Sequence, residues 1–232
     1  MITREGLPFI LAAAAVTVLS VVLAASFSGW LLIAFAIVCG LVTVFMMLFF
    51  RDPPRQVTAS PDALLAPADG RIVGIEEIPQ HPHVGRPAVL VSIFLSILDV
   101  HINRAPATGR VDYVVYRPGR FLAAYRRRAS DVNEQSEIGL TLTNGTRIVV
   151  KQIAGSIARR IVCRLRQGDT VTAGARIGMI RFGSRTDLLI PAGCALRVEV
   201  GDHVTGGLTV IGTLPPRLIQ SSDETRTENV EL

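Results

Sequence analysis

The sequence predicts a mainly β domain, a β-sandwich or barrel-sandwich-hybrid-like architecture, preceded by a two-helix transmembrane hairpin. Three observations support this prediction. Apolar residues concentrate before Arg51, two uncharged stretches there have membrane-spanning length, and short strands alternate with Gly and Pro turns thereafter. We therefore divide the chain into an anchor over residues 1–50, a β domain over 51–214, and a polar, aperiodic tail over 215–232 that we expect to be disordered.

The anchor consists of two uncharged stretches, residues 7–27 and 30–50, separated by Ser28-Gly29. Each has 21 residues, about 31 Å as a helix, which matches the bilayer's hydrocarbon core. A cleaved signal peptide is the alternative for the first stretch, since Arg4 precedes it and small residues end it. Two retained helices are favoured because the first run is longer than a usual signal sequence and a second span follows at once.

Positive charge flanks the hairpin on one side only. Arg4 precedes it, Arg51 and Arg55 follow it, and the short connection carries no charge. The positive-inside rule therefore predicts that both ends, and the β domain, face the cytoplasm. The sequence leaves open whether the hairpin spans the bilayer or lies within one leaflet.

The β domain is predicted from period-two alternation and turn residues. Asn144-Gly145 between two apolar runs is the strongest hairpin signal in the chain. A weak helical pattern covers residues 121–128. The predicted strands are residues 72–78, 88–95, 111–116, 139–143, 146–153, 157–164, 176–182, 185–190, 195–200 and 208–213.

Basic residues and cysteines narrow the chemistry. Of 24 basic residues only Lys151 is a lysine, which leaves 23 arginines and one candidate for a lysine-attached group. Arginine suits a surface that meets phosphate headgroups. The three cysteines are widely spaced, so neither a disulfide framework nor a zinc site is predicted.

Several polar residues are candidates for chemistry, although each also has an ordinary structural explanation. His101 comes at the end of a buried apolar run, in a polar cluster with Asp99, Asn103 and Arg104 that must face a cleft or be fully paired. Asp69 lies in an Asp-Gly turn dipeptide, and Ser184 follows Gly183.

A histidine pair and a turn histidine complete the candidates. His81 and His83 have a metal-like spacing, but an exposed loop is the favoured interpretation because no acidic or cysteine partner is near in sequence. His203 stands in a predicted turn and is given no role. We expect no metal site.

Five segments, in order, resemble the short phosphatidylserine decarboxylases, and the resemblance extends over essentially the whole β domain. The segments are PADGRIV at 67–73, DVHINRAPATG at 99–109, RPGRF at 117–121, NEQ at 133–135 and RFGSRTDLLIP at 181–191. The resemblance implies a self-cleaving proenzyme cut between Gly183 and Ser184. The products are a β chain of residues 1–183 and an α chain of residues 184–232.

The resemblance also implies the chemistry. Ser184 becomes a covalent pyruvoyl cofactor, whose carbonyl forms a Schiff base with the substrate amine and accepts electrons as CO₂ leaves. The implied reaction converts phosphatidylserine to phosphatidylethanolamine at the cytoplasmic face of a bacterial inner membrane. The implied partner is a phospholipid in the bilayer, with no nucleic acid, and a homo-oligomer is left open.

Roles carry over residue by residue. His101 matches the first histidine of the family's Asp-x-His segment and is expected to donate a proton after decarboxylation. Asp69 matches the aspartate of the self-cleavage apparatus. Longer members have a second histidine where this chain has Arg104. Either His101 serves both steps or Ser184 is activated differently, and Arg104 is a candidate for binding the substrate carboxylate or phosphate.

A membrane-tethered adaptor of the hybrid-barrel type is the alternative, suggested by the Gly168–Gly174 turn. A lipoyl or biotinyl carrier would need a lysine at a hairpin tip, whereas Lys151 falls inside a predicted strand. An adaptor would remain one intact chain, whereas the decarboxylase would be cut in two.

Overall fold

The computed structural model describes residues 1–27, 29–122, 129–156, 160–181 and 184–214. Two helices, α1 (Leu7–Phe27) and α2 (Trp30–Phe49), precede the β domain and pack against each other. The first predicted span has the observed bounds, and the second ends one residue early. Both helices are long and apolar enough to cross a membrane. Ser28, half of the predicted turn between them, lies outside the described residues.

The β domain contains fourteen strands among the described residues. They are β1 (Ala63–Leu65), β2 (Gly70–Ile78), β3 (Ala88–Leu95), β4 (Ile102–Arg104), β5 (Gly109–Arg117), β6 (Gln135–Leu142), β7 (Arg147–Ala154), β8 (Arg160–Cys163), β9 (Thr170–Val171), β10 (Arg176–Arg181), β11 (Ser184–Pro191), β12 (Ala195–Leu196), β13 (His203–Val204) and β14 (Val210–Thr213). A short helix, α3 (Ala129–Val132), precedes β6.

The strands form one curled eight-stranded sheet and two three-stranded sheets, which confirms the mainly β prediction. The large sheet has the order β13-β2-β3-β11-β7-β6-β5-β9, with antiparallel pairing, and β11 lies between β3 and β7. The small sheets have the orders β4-β10-β8 and β1-β14-β12. The main core is enclosed by the curled eight-stranded sheet, where aliphatic residues such as Ile93, Val150 and Leu188 are fully buried.

The Asn144-Gly145 hairpin is present as predicted between β6 and β7. Gly145 has a φ of +88°, a conformation that glycine adopts without steric cost, and the Asn144 side chain accepts the Thr146 N–H. This hairpin pairs β7 with β6, and the other edge of β7 pairs with β11, the strand that begins at Ser184.

Several local predictions were wrong or incomplete. Residues 197–200 are not a strand, because β12 ends at Leu196. His203 lies in β13 rather than in a turn. Four short strands were not predicted: β1, β4, β9 and β13. The predicted helix over residues 121–128, the start of the 157–164 strand and the 215–232 tail lie wholly or largely outside the described residues.

Candidate functional site

Ser184 is the first residue of β11 and is fully buried. Its Cα partners are Leu95 on β3 and Ala154 on β7, so the serine lies where three strands of the large sheet end. The Ser184 Oγ has no hydrogen-bond partner in the described part of the chain. A buried, unpartnered hydroxyl is costly in a folded core, and such groups are typical of reactive sites. Gly183 lies outside the described residues.

His101 immediately precedes β4 and is also fully buried. Strand β3 ends at Leu95, and the residues that follow it, Ser96–Asp99, form a turn in which the Asp99 carboxylate accepts the Ser96 N–H at 2.8 Å. The His101 carbonyl accepts a hydrogen bond from the Ile180 N–H at 3.2 Å, which attaches this segment to β10 four residues before Ser184.

The imidazole of His101 is held as one neutral tautomer. Its Nδ1 lies 2.9 Å from the Asp99 carbonyl oxygen. Because a carbonyl only accepts, Nδ1 carries the proton and Nε2 keeps its lone pair. Burial lowers the pKa of His101 to about 4, and the weaker opposing effects of Asp99 and Asp69 do not offset it. At neutral pH Nε2 is therefore a base rather than an acid.

A buried polar network joins the segments that carry His101 and Ser184. The Asn103 side chain donates to the Thr186 hydroxyl at 2.7 Å, and the Gln152 side chain donates to the side-chain oxygen Oδ1 of Asn103 at 2.8 Å. Asn103 and Thr186 each lie two residues after one of the candidate catalytic residues. This network therefore fixes β4 relative to β11. Sequence reasoning noticed Asn103 within a polar cluster but did not identify its partners.

Asp69 lies just before β2, in a paired arrangement. Arg55 binds both of its carboxylate oxygens, at 2.6 and 2.7 Å, and the Gly206 N–H donates to Oδ1 at 2.8 Å. The following glycine is required, because a Cβ on Gly70 would stand 2.1 Å from the Phe94 carbonyl oxygen. The resulting ion pair is largely buried and lies near enough to His101 to act on its pKa.

Arg104 is bound by protein groups. Its Nη2 donates to the Asp52 carboxylate at 2.6 Å and to the Pro53 carbonyl at 3.1 Å, and its Nη1 donates to the Gly174 carbonyl at 3.1 Å. The Nε atom is buried and has no partner among the described residues. Arg104 thus ties β4 to the segment that leaves the hairpin.

Sequence reasoning missed the ion pair on the other face of β11. Arg185 donates to Asp187 at 2.6 Å and to the Ser92 hydroxyl at 2.5 Å, and Ser130 donates to Asp187 at 2.9 Å. Since side chains alternate along a strand, these charges lie opposite Ser184. They explain the Arg-x-Asp part of the 181–191 segment, which holds the strand to its neighbours.

The hairpin contributes to the site directly. The ring of Phe49, at the end of α2, lies 4.2 Å from the His101 ring, centroid to centroid. Phe49 and Phe50 are buried with Ile102 of β4 and Met179 of β10, so the end of α2 packs on the three-stranded sheet β4-β10-β8. Nothing in the sequence indicated this contact, because Phe49 belongs to an uninterrupted apolar run.

His81 and His83 are not in an exposed loop, contrary to expectation. Their side chains are largely buried, and their Nε2 atoms lie 3.7 Å from Glu137 and 3.4 Å from Asp112. No cluster of three or more metal-ligating side chains occurs within the described ranges. Lys151 lies in β7, 3.4 Å from Glu137, rather than at a hairpin tip.

Comparison with known proteins gives concordant matches. A family model described as phosphatidylserine decarboxylase matches residues 42–212. The chain is 45% identical over 213 residues to a phosphatidylserine decarboxylase proenzyme from Desulfotalea psychrophila, covering 92% of this chain and 96% of that protein. It is 45% identical over 215 residues to the proenzyme from Symbiobacterium thermophilum, covering 93% and 96%. The Salinibacter ruber proenzyme is 50% identical over 175 residues, covering 74% and 76%.

Proposed function

The chain belongs to the phosphatidylserine decarboxylase family, and from this we propose that it cuts itself between Gly183 and Ser184 and then decarboxylates phosphatidylserine. The observation that carries the proposal is the buried, unpartnered Ser184 hydroxyl beside the segment that bears a neutral, tautomer-fixed His101. The word proenzyme in the names of the relatives supports processing into two chains.

Self-cleavage begins at the Ser184 hydroxyl. The Oγ bonds to the Gly183 carbonyl carbon as its proton passes to a base, and the Gly183–Ser184 C–N bond breaks to leave an ester and a free amine. Loss of the Ser184 Cα proton then expels the Gly183 carboxylate and leaves dehydroalanine. Water hydrolyses this residue to the pyruvoyl group with release of ammonia. The chain supplies every group except that water.

His101 is the best-supported base for this sequence of steps. Its Nε2 is unprotonated at neutral pH because of burial, and the Asp99 carbonyl fixes the ring orientation. Arg104 occupies the position of the second histidine of the longer family members, and it binds Asp52. Because no second histidine stands there, we infer that His101 acts in both self-cleavage and decarboxylation. Asp69, with Arg55, is assigned to orienting and polarising the His101 environment during maturation.

The residues present fit a pyruvoyl group at position 184. The hydroxyl has no hydrogen-bond partner among the residues that the structure describes, and the enclosing strands exclude water from it. When formed, the pyruvoyl group supplies an electrophilic carbonyl that attracts the electrons released as CO₂ departs. His101 then holds the proton that the substrate carbon takes up, since a site that binds an anionic carboxylate favours the protonated imidazole. Arg104 is assigned a positioning role, through its bonds to the 52–53 segment, rather than direct substrate contact.

The hairpin suits a substrate that stays in the bilayer. Because Phe49 at the end of α2 packs on His101, anchoring by two membrane helices holds the site at the level where lipid headgroups lie. We propose that the hairpin resides in the bacterial inner membrane with the β domain in the cytoplasm, as the flanking arginines favour. A lipoyl or biotinyl carrier is disfavoured, because Lys151 is ion-paired within β7 and not at a hairpin tip.

The test is formation of phosphatidylethanolamine from phosphatidylserine by the purified full chain in detergent micelles. Wild type is compared with Ser184→Ala, which cannot form the pyruvoyl group. We expect product from wild type only. Product from both proteins, or from neither, contradicts the proposal.

A further inference from the structure

A second polar site lies at the base of the hairpin. An open pocket of about 220 Å³ is lined by Arg4 and Glu5, just before α1, and by residues of β8, β10 and the segment after β8. Its remaining lining residues are Val162, Arg164, Arg176, Ile177 and Gly178. Ser184, His101 and Asp69 are not among them, so this pocket is distinct from the site described above.

The pocket carries an excess of positive charge. Glu5 is its single carboxylate, and it is shared by Arg176 at 2.5 Å and Arg164 at 3.1 Å. Arg4 is exposed and forms no ion pair or hydrogen bond with any described residue. The side chain of Arg164 is 70% exposed, so much of its guanidinium also faces solvent. Arg176 also lies 3.9 Å from Asp52, just outside the pocket, so Arg4 and Arg164 carry most of the positive charge that suits the pocket to an anion.

Two further arginines strengthen this field. Arg160 and Arg181 are Cα partners on β8 and β10. Burial lowers the pKa of Arg181, and the neighbouring charge of Arg160 lowers it further. The Arg181 guanidinium lies over the Phe9 ring at 5.1 Å, and its buried Nε has no partner among the described residues. Because Arg181 and Glu5 are close enough to interact electrostatically, the charge of Arg181 adds to the positive field at the pocket.

The location indicates what kind of anion. Arg4 stands three residues before the first residue of an uncharged 21-residue helix, so it falls at the headgroup level when α1 is in the bilayer. Leu7 and Leu11 are more than half exposed on that helix. A ligand bound here would meet arginines with its phosphate and apolar helix surface with its chains.

We propose that this pocket binds the phosphodiester headgroup of an anionic phospholipid that is not the reacting substrate, and so docks the β domain onto the bilayer. The occupant is a bilayer lipid and not a free phosphate, because the apolar surface of α1 is continuous with the arginines. The inference rests on the membrane placement in the proposed function but not on the chemistry at Ser184.

The experiment titrates fluorescent phosphatidylglycerol into the full chain in neutral detergent micelles. Wild type is compared with Arg4→Gln/Arg164→Gln, in which two exposed arginines of the pocket lose their charge. The matched control is Arg110→Gln/Arg147→Gln, two exposed arginines on β5 and β7. Each pocket arginine removed should weaken binding about fivefold, so the double variant should bind about 25-fold more weakly.

The expected result is tight binding by wild type and the control, loss in the pocket variant, and no displacement by phosphatidylcholine or inorganic phosphate. Equal binding by all three proteins, or equal loss in the control, overturns the site. Displacement by inorganic phosphate overturns the assignment to lipid. Phosphatidylethanolamine formation by the same wild-type preparation is recorded separately, so failure of the proposed function is distinguishable from failure of this site.

Discussion

The ring of Phe49 packs against the imidazole of His101, with centroids 4.2 Å apart and planes tilted by 39°. One residue ends the second apolar helix, and the other is the candidate base on the segment that hydrogen-bonds to β10 four residues before Ser184. The contact shields the imidazole from water, and burial is the main cause of its low pKa. The end of α2 is therefore part of the candidate site.

Replacing Phe49 with Ala should open the imidazole to water. We expect the pKa of His101 to rise from about 4 toward its ordinary value of 6.5, which would move the acid limit of self-cleavage upward by more than one pH unit. The pH profile of cleavage, followed on denaturing gels, measures this. Phe35→Ala is the control, since Phe35 is 54% exposed on the same helix and should leave the profile unchanged. An unchanged pH profile in Phe49→Ala would show that the Phe49 ring does not control the pKa of His101.

Self-cleavage in the wild type should lose rate only in strong acid. The unprotonated imidazole is the active form, so the rate should rise as pH increases through about 4 and stay level above it. His101→Gln should slow cleavage about 10²- to 10⁴-fold. A wild-type profile with its midpoint near 6.5 would contradict the buried neutral tautomer.

The same depressed pKa should affect stability. The unfolded chain binds a proton at His101 near pH 6.5 and the folded chain only near 4. The unfolded state therefore gains stability as pH falls between these values, and the folded state loses about 3 kcal/mol in total. Chemical denaturation of Ser184→Ala at pH 7 and pH 4 measures the change, and the His101→Gln/Ser184→Ala double variant should show a correspondingly smaller one.

Variants of the Asp69–Arg55 ion pair should distinguish a role in folding from a role in self-cleavage. Asp69→Asn leaves the buried Arg55 charge unpaired, which should cost about 3–5 kcal/mol. Arg55→Gln/Asp69→Asn removes both charges and should recover much of that loss. If Asp69 also serves maturation, the double variant should fold yet cleave slowly. Thermal unfolding and the extent of cleavage are measured on the same samples. If the double variant is stable and cleaves itself as fast as the wild type, Asp69 has a structural role only.

Variants of Arg104 and its partner Asp52 distinguish a positioning role for Arg104 from direct contact with the substrate. Because its donors bind Asp52, Pro53 and Gly174, Asp52→Asn should mimic much of the effect of Arg104→Gln. Both variants should lower stability and kcat with little change in KM for phosphatidylserine. A large rise in KM for Arg104→Gln alone would instead indicate that Arg104 contacts the substrate.

Periodic elements could be predicted from sequence, and their pairing could not. The helix Leu7–Phe27 and the strand Ala88–Leu95 have the predicted bounds, because uninterrupted apolar runs are strong local signals. Strand β4 was missed because three residues give no period, and its existence depends on pairing with β10. Short strands of this kind are decided by tertiary contacts.

The candidate site divides in the same way. Ser184, His101 and Asp69 are candidates because the segments that contain them resemble motifs of the family, whereas residue type alone leaves each with an ordinary structural explanation. Arg55 and Phe49 were not, since each is ordinary in its local sequence and gains meaning only from a partner distant in the chain. Phe49 reaches His101 because the end of α2 packs on the three-stranded sheet β4-β10-β8.

The most direct test of the account is an intact mass and a denaturing gel of the purified full chain beside Ser184→Ala. The account predicts that wild type yields a fragment of residues 184–232 with a blocked N-terminus, together with residues 1–183, and that Ser184→Ala remains a single chain. A single uncut chain in both samples would contradict self-cleavage at Gly183–Ser184 and the chemistry built on it.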